Sequence, residues 1–180
     1  IQRLNVRPGQ SVYEVGCGAG AFLFALREQG VQVGGIDYAE NLVLQSRKVM
    51  PEASFHHGEA VQLVVEPRVD FVFANGVFHY FRDEDYAAQV LERMLAKATK
   101  GIAVLEVPDL ASRDEAERIR RDLLTPSAYE EKYRGLEHLY YSREWFRQLA
   151  KRRGYRCELF DQCVPNYAQS SFRFNCLIIK

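Results

Sequence analysis

The chain has 180 residues, 47% of them hydrophobic, and its 24 lysines and arginines balance 24 aspartates and glutamates. That length and apolar content predict one globular domain over residues 1–180 with a substantial core, and zero net charge disfavours nucleic acid as a partner. No apolar run could span a bilayer and no signal-peptide pattern is present; Cys17, Cys157, Cys163 and Cys176 have neither C-x-x-C nor zinc-type spacing, so a cytoplasmic protein with reduced thiols, no membrane partner and no metal is expected.

Pro8-Gly9 marks a turn in the lead-in, and Ser11 to Val15 reads as the first strand. From Val12 the chain passes through apolar residues to an acid, then to glycines spaced by small residues: Glu14-Val15-Gly16-Cys17-Gly18-Ala19-Gly20. A helical pattern with Phe22, Leu23 and Leu26 follows at once and stops at Gly30. Such a strand–turn–helix lets a bulky ligand approach the backbone and places unpaired N–H groups and a positive dipole end beside it. The second strand, Val31 to Asp37, ends on an acid at a spacing that suits a carboxylate accepting from two ribose hydroxyls. A nucleoside-type cofactor is therefore expected.

Gly16-x-Gly18-x-x-Ala21 also fits a dinucleotide fingerprint, which keeps an NAD-linked oxidoreductase as the alternative, beside a non-catalytic cofactor-binding module of a larger protein. Glu14 argues against NAD, because it would oppose a diphosphate with like charge. On these residues the chain resembles the class I S-adenosylmethionine-dependent methyltransferases, whose first motif has the form acid-x-Gly-x-Gly-x-Gly. The resemblance implies a three-layer, Rossmann-like α/β fold with a seven-stranded, mostly parallel sheet and a C-terminal antiparallel strand. It also implies S-adenosyl-L-methionine as cofactor and methyl transfer to a small-molecule acceptor through an O or N nucleophile, by in-line displacement. Relatives of this fold usually carry a helical lid ahead of the first strand; here the chain starts at Ile1, about ten residues before that strand, so the lid is expected to be absent.

Further along, Leu42, Val43 and Met50 sit at helical spacing before Pro51, and Ala53 to His57 forms a short third strand. By the resemblance, Glu59 would take the adenine amino group and the Ala60 N–H a ring nitrogen; the other reading has Glu59 open a helix near its positive end. Val69 to Asn75 is an apolar run that predicts a strand buried on both faces. The segment Gly76 to Phe81 lies where this architecture presents its methyl group. An amphipathic helix carries Ala87, Val90, Leu91, Met94 and Leu95, and Gly101 to Val107 makes strand five.

Residues 109–141 read as a substrate-side insertion, with Ser112-x-x-Glu115 as a capping box opening a helix through Ile119, Leu123 and Leu124. Its tyrosines 129, 133, 140 and 141 suit either an acceptor pocket or an ordinary half-buried helix. The clusters Arg118-Ile119-Arg120-Arg121 and Lys151-Arg152-Arg153 read as solvated helix faces. Ser142 caps a last helix with Trp145, Phe146 and Leu149 inward and Gly154 at its end; two strands follow, Tyr155 to Asp161 and Phe172 to Ile179, with no helix between them.

The expected cofactor contacts are Glu14, Gly16, Cys17, Gly18, Gly20, Asp37, Tyr38, Glu59, Ala60 and Asn75. His79 is the first choice for a general base and His138 the second, each alternatively a histidine bonded to backbone or lining the pocket. Tyr80 and Tyr141 are candidate wall residues.

Overall fold

The structure, a computed structural model, describes residues 2–122, 124–135 and 138–180. Leu123, assigned above to a helix, lies outside them. Seven strands form one sheet in the order β3-β2-β1-β4-β5-β7-β6. They are β1 (Ser11–Val15), β2 (Gln32–Asp37), β3 (Ser54–His57), β4 (Val69–Asn75), β5 (Ala98–Pro108), β6 (Arg156–Asp161) and β7 (Arg173–Ile179). β7 runs antiparallel to both β5 and β6, while the pairings among β1 to β5 are parallel. This is the mostly parallel α/β sheet with an inserted C-terminal antiparallel strand that the resemblance implies.

Two apolar layers sandwich the sheet. One packs α1 (Ala21–Arg27) and α2 (Glu40–Val49) through Leu23, Leu26 and Val43 against Val12, Phe71 and Phe73. The other packs α3 (Glu84–Lys97) and α6 (Arg143–Arg152) through Leu91, Met94 and Phe146 against Val15, Val72 and Phe174. Phe71 to Ala74 are all buried, which is why β4 reads as a continuous apolar run rather than an alternating one. Because β1 and β4 are neighbours while β2 departs on the other side of β1, strand order reverses there, and a crevice opens at the carboxyl ends.

Local chemistry sets the helix ends. Asp83 accepts from the Tyr86 N–H to cap α3, and Ser142 accepts from the Trp145 N–H to cap α6. Between β5 and α6 lie α4 (Arg113–Asp122) and α5 (Pro126–Tyr133). The expected Ser112–Glu115 capping box is replaced: a 3-10 turn, Leu110–Ser112, precedes α4, and Asp109 caps that turn by accepting from the Ala111 N–H. A capping box does form elsewhere, between Glu59 and Gln62. Thr125 followed by Pro126 starts α5, which carries Tyr129 and Tyr133 as in the helix reading of those tyrosines. α4 reaches the rest of the chain partly through a small separate cluster of Ala116, Ile119, Tyr140 and Phe172.

Candidate functional site

The turn after β1 takes its shape from three glycines with positive φ, Gly16 at 72°, Gly18 at 51° and Gly20 at 79°. At Gly16 a Cβ would also lie 2.7 Å from the Val77 side chain, so the β1 and β4 loops close together only over a glycine. Asp37 locks this turn from the end of β2: one carboxylate oxygen accepts from the Gly18 N–H at 2.7 Å, the other from the Ala39 N–H at 2.8 Å.

Beneath the turn, Glu14 is 3% exposed, and its Oε2 is buried with no hydrogen-bond partner. Burial first, and the Asp37 charge second, push its carboxyl up to about 8. Among the described residues no cation forms an ion pair with it. A buried acid left in that state needs either its own proton or an incoming positive charge. Cys17, also buried, has its thiol pushed up to about 12 by burial and by Glu14 and Asp37, so it packs as a neutral side chain.

In front of the turn lies a cleft of about 790 Å³. Gly16, Asp37, Tyr38, Glu59 and Ala60 are in its wall, and Tyr38 is 77% exposed beside it. Glu14, Cys17, Gly18 and Gly20 lie outside the lining and shape the cleft from behind, while Asn75 ends β4 as an exposed residue. Glu59 has a second employment: one oxygen accepts from the Tyr86 hydroxyl at 2.8 Å, and the same side chain caps the 3-10 turn Ala60–Gln62. Tyr86 and Phe81 line the cleft as well; both sit in or just before an amphipathic helix, where their spacing reads as core.

The two histidines expected as bases do come together, with ring centroids 4.6 Å apart. His79 is buried, however, and its Nδ1 faces Arg173 Nη1 at 3.4 Å. Burial and then the Arg173 charge lower its pKa to about 3; burial and then Arg120 lower that of His138 to about 4. Tyr141 is not a wall residue. It is fully buried, and its hydroxyl donates to the Phe78 carbonyl at 2.9 Å, tying the 109–141 segment to the turn after β4. Tyr80 does serve as a wall, and of two cavities at once.

The second cavity, about 480 Å³, is bounded by Tyr80, Tyr133, His138, Arg120, Lys132 and Arg173 among others. Arg120, which the sequence pattern assigned to a solvated face, is only 9% exposed. Its guanidinium bonds His138 Nδ1 at 2.9 Å and donates to the Tyr140 hydroxyl. Arg120 and Arg173 were missed because they are 53 positions apart and meet only in the fold. Glu106 was missed too: it sits at φ 60°, where the β5–β7 register shifts between Val104 and Val107, and only a backbone conformation rare for a non-glycine residue marks it.

A family model described as "Methyltransferase domain" matches residues 13–101. Trans-aconitate 2-methyltransferase of Rhodopseudomonas palustris is 28% identical over 137 residues, 74% of this chain and 50% of that protein. The enzyme of the same name from Afipia carboxidovorans is 28% identical over 111 residues, 61% of this chain and 41% of that one. The chain thus spans half or less of the length of these relatives. Among solved structures, magnesium protoporphyrin IX methyltransferase from Synechocystis, with S-adenosylmethionine bound, superposes with a TM-score of 0.68 at 15% identity, covering 96% of this chain and 71% of that one, and so shares the fold.

Proposed function

We propose that the chain is a class I S-adenosylmethionine-dependent methyltransferase, that it binds S-adenosyl-L-methionine in the larger cleft and that it transfers the methyl group to an O or N nucleophile of a small molecule. The observation that carries this reading is the partnerless buried oxygen of Glu14 under the glycine turn. A diphosphate there would meet an acid already short of positive charge, whereas the ammonium of a methionine tail would supply it.

The residues fit the cofactor in three further respects. Asp37 ends β2 beside the cleft with lone pairs to spare after its two backbone bonds, enough to accept from ribose hydroxyls. Ala60 offers a backbone N–H and Glu59 a carboxylate at the place expected for adenine, with Tyr86 orienting that carboxylate. Exposed Tyr38 provides an aromatic face on the same wall. When bound, the cofactor supplies a methyl carbon already activated by positive sulfur, so the protein has only to align, desolvate and manage charge.

Residues Gly76 to Phe81 would place the acceptor, with Tyr80 between cofactor and acceptor spaces and 109–141 as the substrate-side insertion. His79 and His138 stay neutral near physiological pH because burial first, and the two arginines second, oppose their protonation. His138 serves as a hydrogen-bonding wall of the smaller cavity while His79 packs behind it, outside both linings, and either becomes a base only if an anion offsets that positive field.

Calorimetric titration of S-adenosylmethionine and of NAD, in buffers of different ionisation enthalpy, tests the reading. We expect only the first to bind near pH 7, with release of a proton as Glu14 ionises opposite the ammonium. Binding of NAD alone overturns it.

A further inference from the structure

We propose that the 480 Å³ cavity is the acceptor site and that it takes a small organic acid, whose carboxylate is held by Arg120 and Arg173. The inference rests on reading the larger cleft as the cofactor site, since Tyr80 is the wall the two spaces share.

Three observations carry it. Both guanidinium groups are buried, with Arg173 7% exposed. Neither has a close carboxylate among the described residues: Arg120 forms no ion pair, and Arg173 reaches only Glu106 Oε2, at 3.9 Å. Burying such charges is costly unless anions offset it; among the described residues Arg120 has only hydrogen bonds and the ring faces of Tyr133 and Tyr140 around it, and Arg173 has only the Glu106 carboxylate at 3.9 Å. Among the described residues, Glu117 is committed elsewhere, to Arg113 at 2.9 Å.

The donor supply points the same way. A guanidinium has five N–H groups. The bonds of Arg173 to the Glu106 carbonyl, at 2.9 Å, and to His79 both use Nη1, so its Nε and Nη2 donate to no described protein group. Lys132 adds a third cation to the lining, and His138, lying against Arg120, stays neutral. Tyr80, Tyr133 and Leu124 give apolar walls that fit a carbon frame rather than a bare inorganic ion. A carboxylate is also a nucleophile that needs no base, which agrees with two histidines held in the neutral form.

Calorimetry on the S-adenosylhomocysteine complex tests the proposal, with three probes: trans-aconitate, its neutral trimethyl ester and inorganic phosphate. Trans-aconitate should bind and the other two should not. Arg120→Gln and Arg173→Gln should each weaken trans-aconitate on the order of ten- to a hundredfold, and exposed Lys132→Gln less, while Arg118→Gln on the outer face of α4 leaves it unchanged. Retained S-adenosylhomocysteine binding certifies the fold of each variant. If the ester binds as well as the acid, if phosphate binds in preference, or if Lys132→Gln and the arginine variants leave affinity unchanged, the proposal falls. Failure of the parent protein to bind S-adenosylhomocysteine would instead remove the cofactor reading beneath it.

Discussion

The two cavities are electrostatic opposites built on the same principle. Around the β1 turn an acid is buried with no cation paired to it among the described residues; around α4 and the start of β7 two guanidiniums are buried with no described carboxylate closer than Glu106, 3.9 Å from Arg173. In the ligand-free chain Glu14 keeps its proton up to about pH 8 and the guanidiniums lean on hydrogen bonds, so each site is poised for a ligand of the opposite sign. The contrast teaches that the ligand's charge can be read from what the protein leaves uncompensated. It also separates the proposed ligands chemically: a cationic tail on one side of Tyr80, an acidic acceptor on the other.

The largest effect on the first half is expected from Asp37→Ala. It removes the acceptor of the Gly18 and Ala39 N–H groups and of the cofactor's ribose, and should cost roughly 2–5 kcal/mol of S-adenosylhomocysteine binding, measured by calorimetry. Unchanged affinity would break the assignment of that cleft. Glu14→Gln keeps the shape and deletes the charge, and should weaken the same binding by about 1.5–3 kcal/mol while abolishing proton release.

Glu14 also leaves a signature in stability. Its carboxyl lies at about 8 when folded against 4.5 when exposed, so the folded chain keeps a proton the unfolded chain releases, and stability falls as pH rises between those values. His79 and His138, lowered to about 3 and about 4 from 6.5, act with the opposite sign: stability is lost as pH falls below 6.5 because only the unfolded imidazoles become charged. The melting temperature of the ligand-free protein should therefore peak near pH 6.5, and in Glu14→Gln the decline from there to about 8 should vanish.

The seam between the halves is tested by Tyr141→Phe, which removes one of two donors to the buried Phe78 carbonyl, leaving the Phe81 N–H, and should cost about 0.5–1.5 kcal/mol in urea unfolding. Smallest of all should be Arg153→Ala. Its ion pair with Glu92, at 2.6 Å, links α6 to α3 on the surface, and its loss should change stability by at most about 1 kcal/mol. A large effect there would mean that compensated surface charge matters as much as uncompensated buried charge, and the contrast would lose its force.

The first half was legible in the sequence because its determinants are local. Glu14 to Gly20 is one continuous turn, and Asp37 ends the next strand, so spacing alone placed them. The sheet type followed from the resemblance those residues carry, with two strands succeeding each other without a helix at the end of the chain; the strand order itself came only with the structure. The second half resisted because its determinants are distant: Arg120, His138 and Arg173 come from three elements. Periodicity put Arg120 in a basic helix face and gave no sign that α4 buries that face against Tyr140 and His138. Tyr141 misled for a related reason. A tyrosine reads as a wall residue until its hydroxyl is seen to meet a backbone carbonyl inside the core.

The cluster of Ala116, Ile119, Tyr140 and Phe172 has a consequence for how such proteins diversify. Because α4 carries a small apolar nucleus of its own, mutations on that helix's inner face are buffered from the two layers that sandwich the sheet. Under the acceptor role proposed for this helix, drift confined to it would change acceptor preference without disturbing the sheet, and exchanging it between related chains would alter substrate choice.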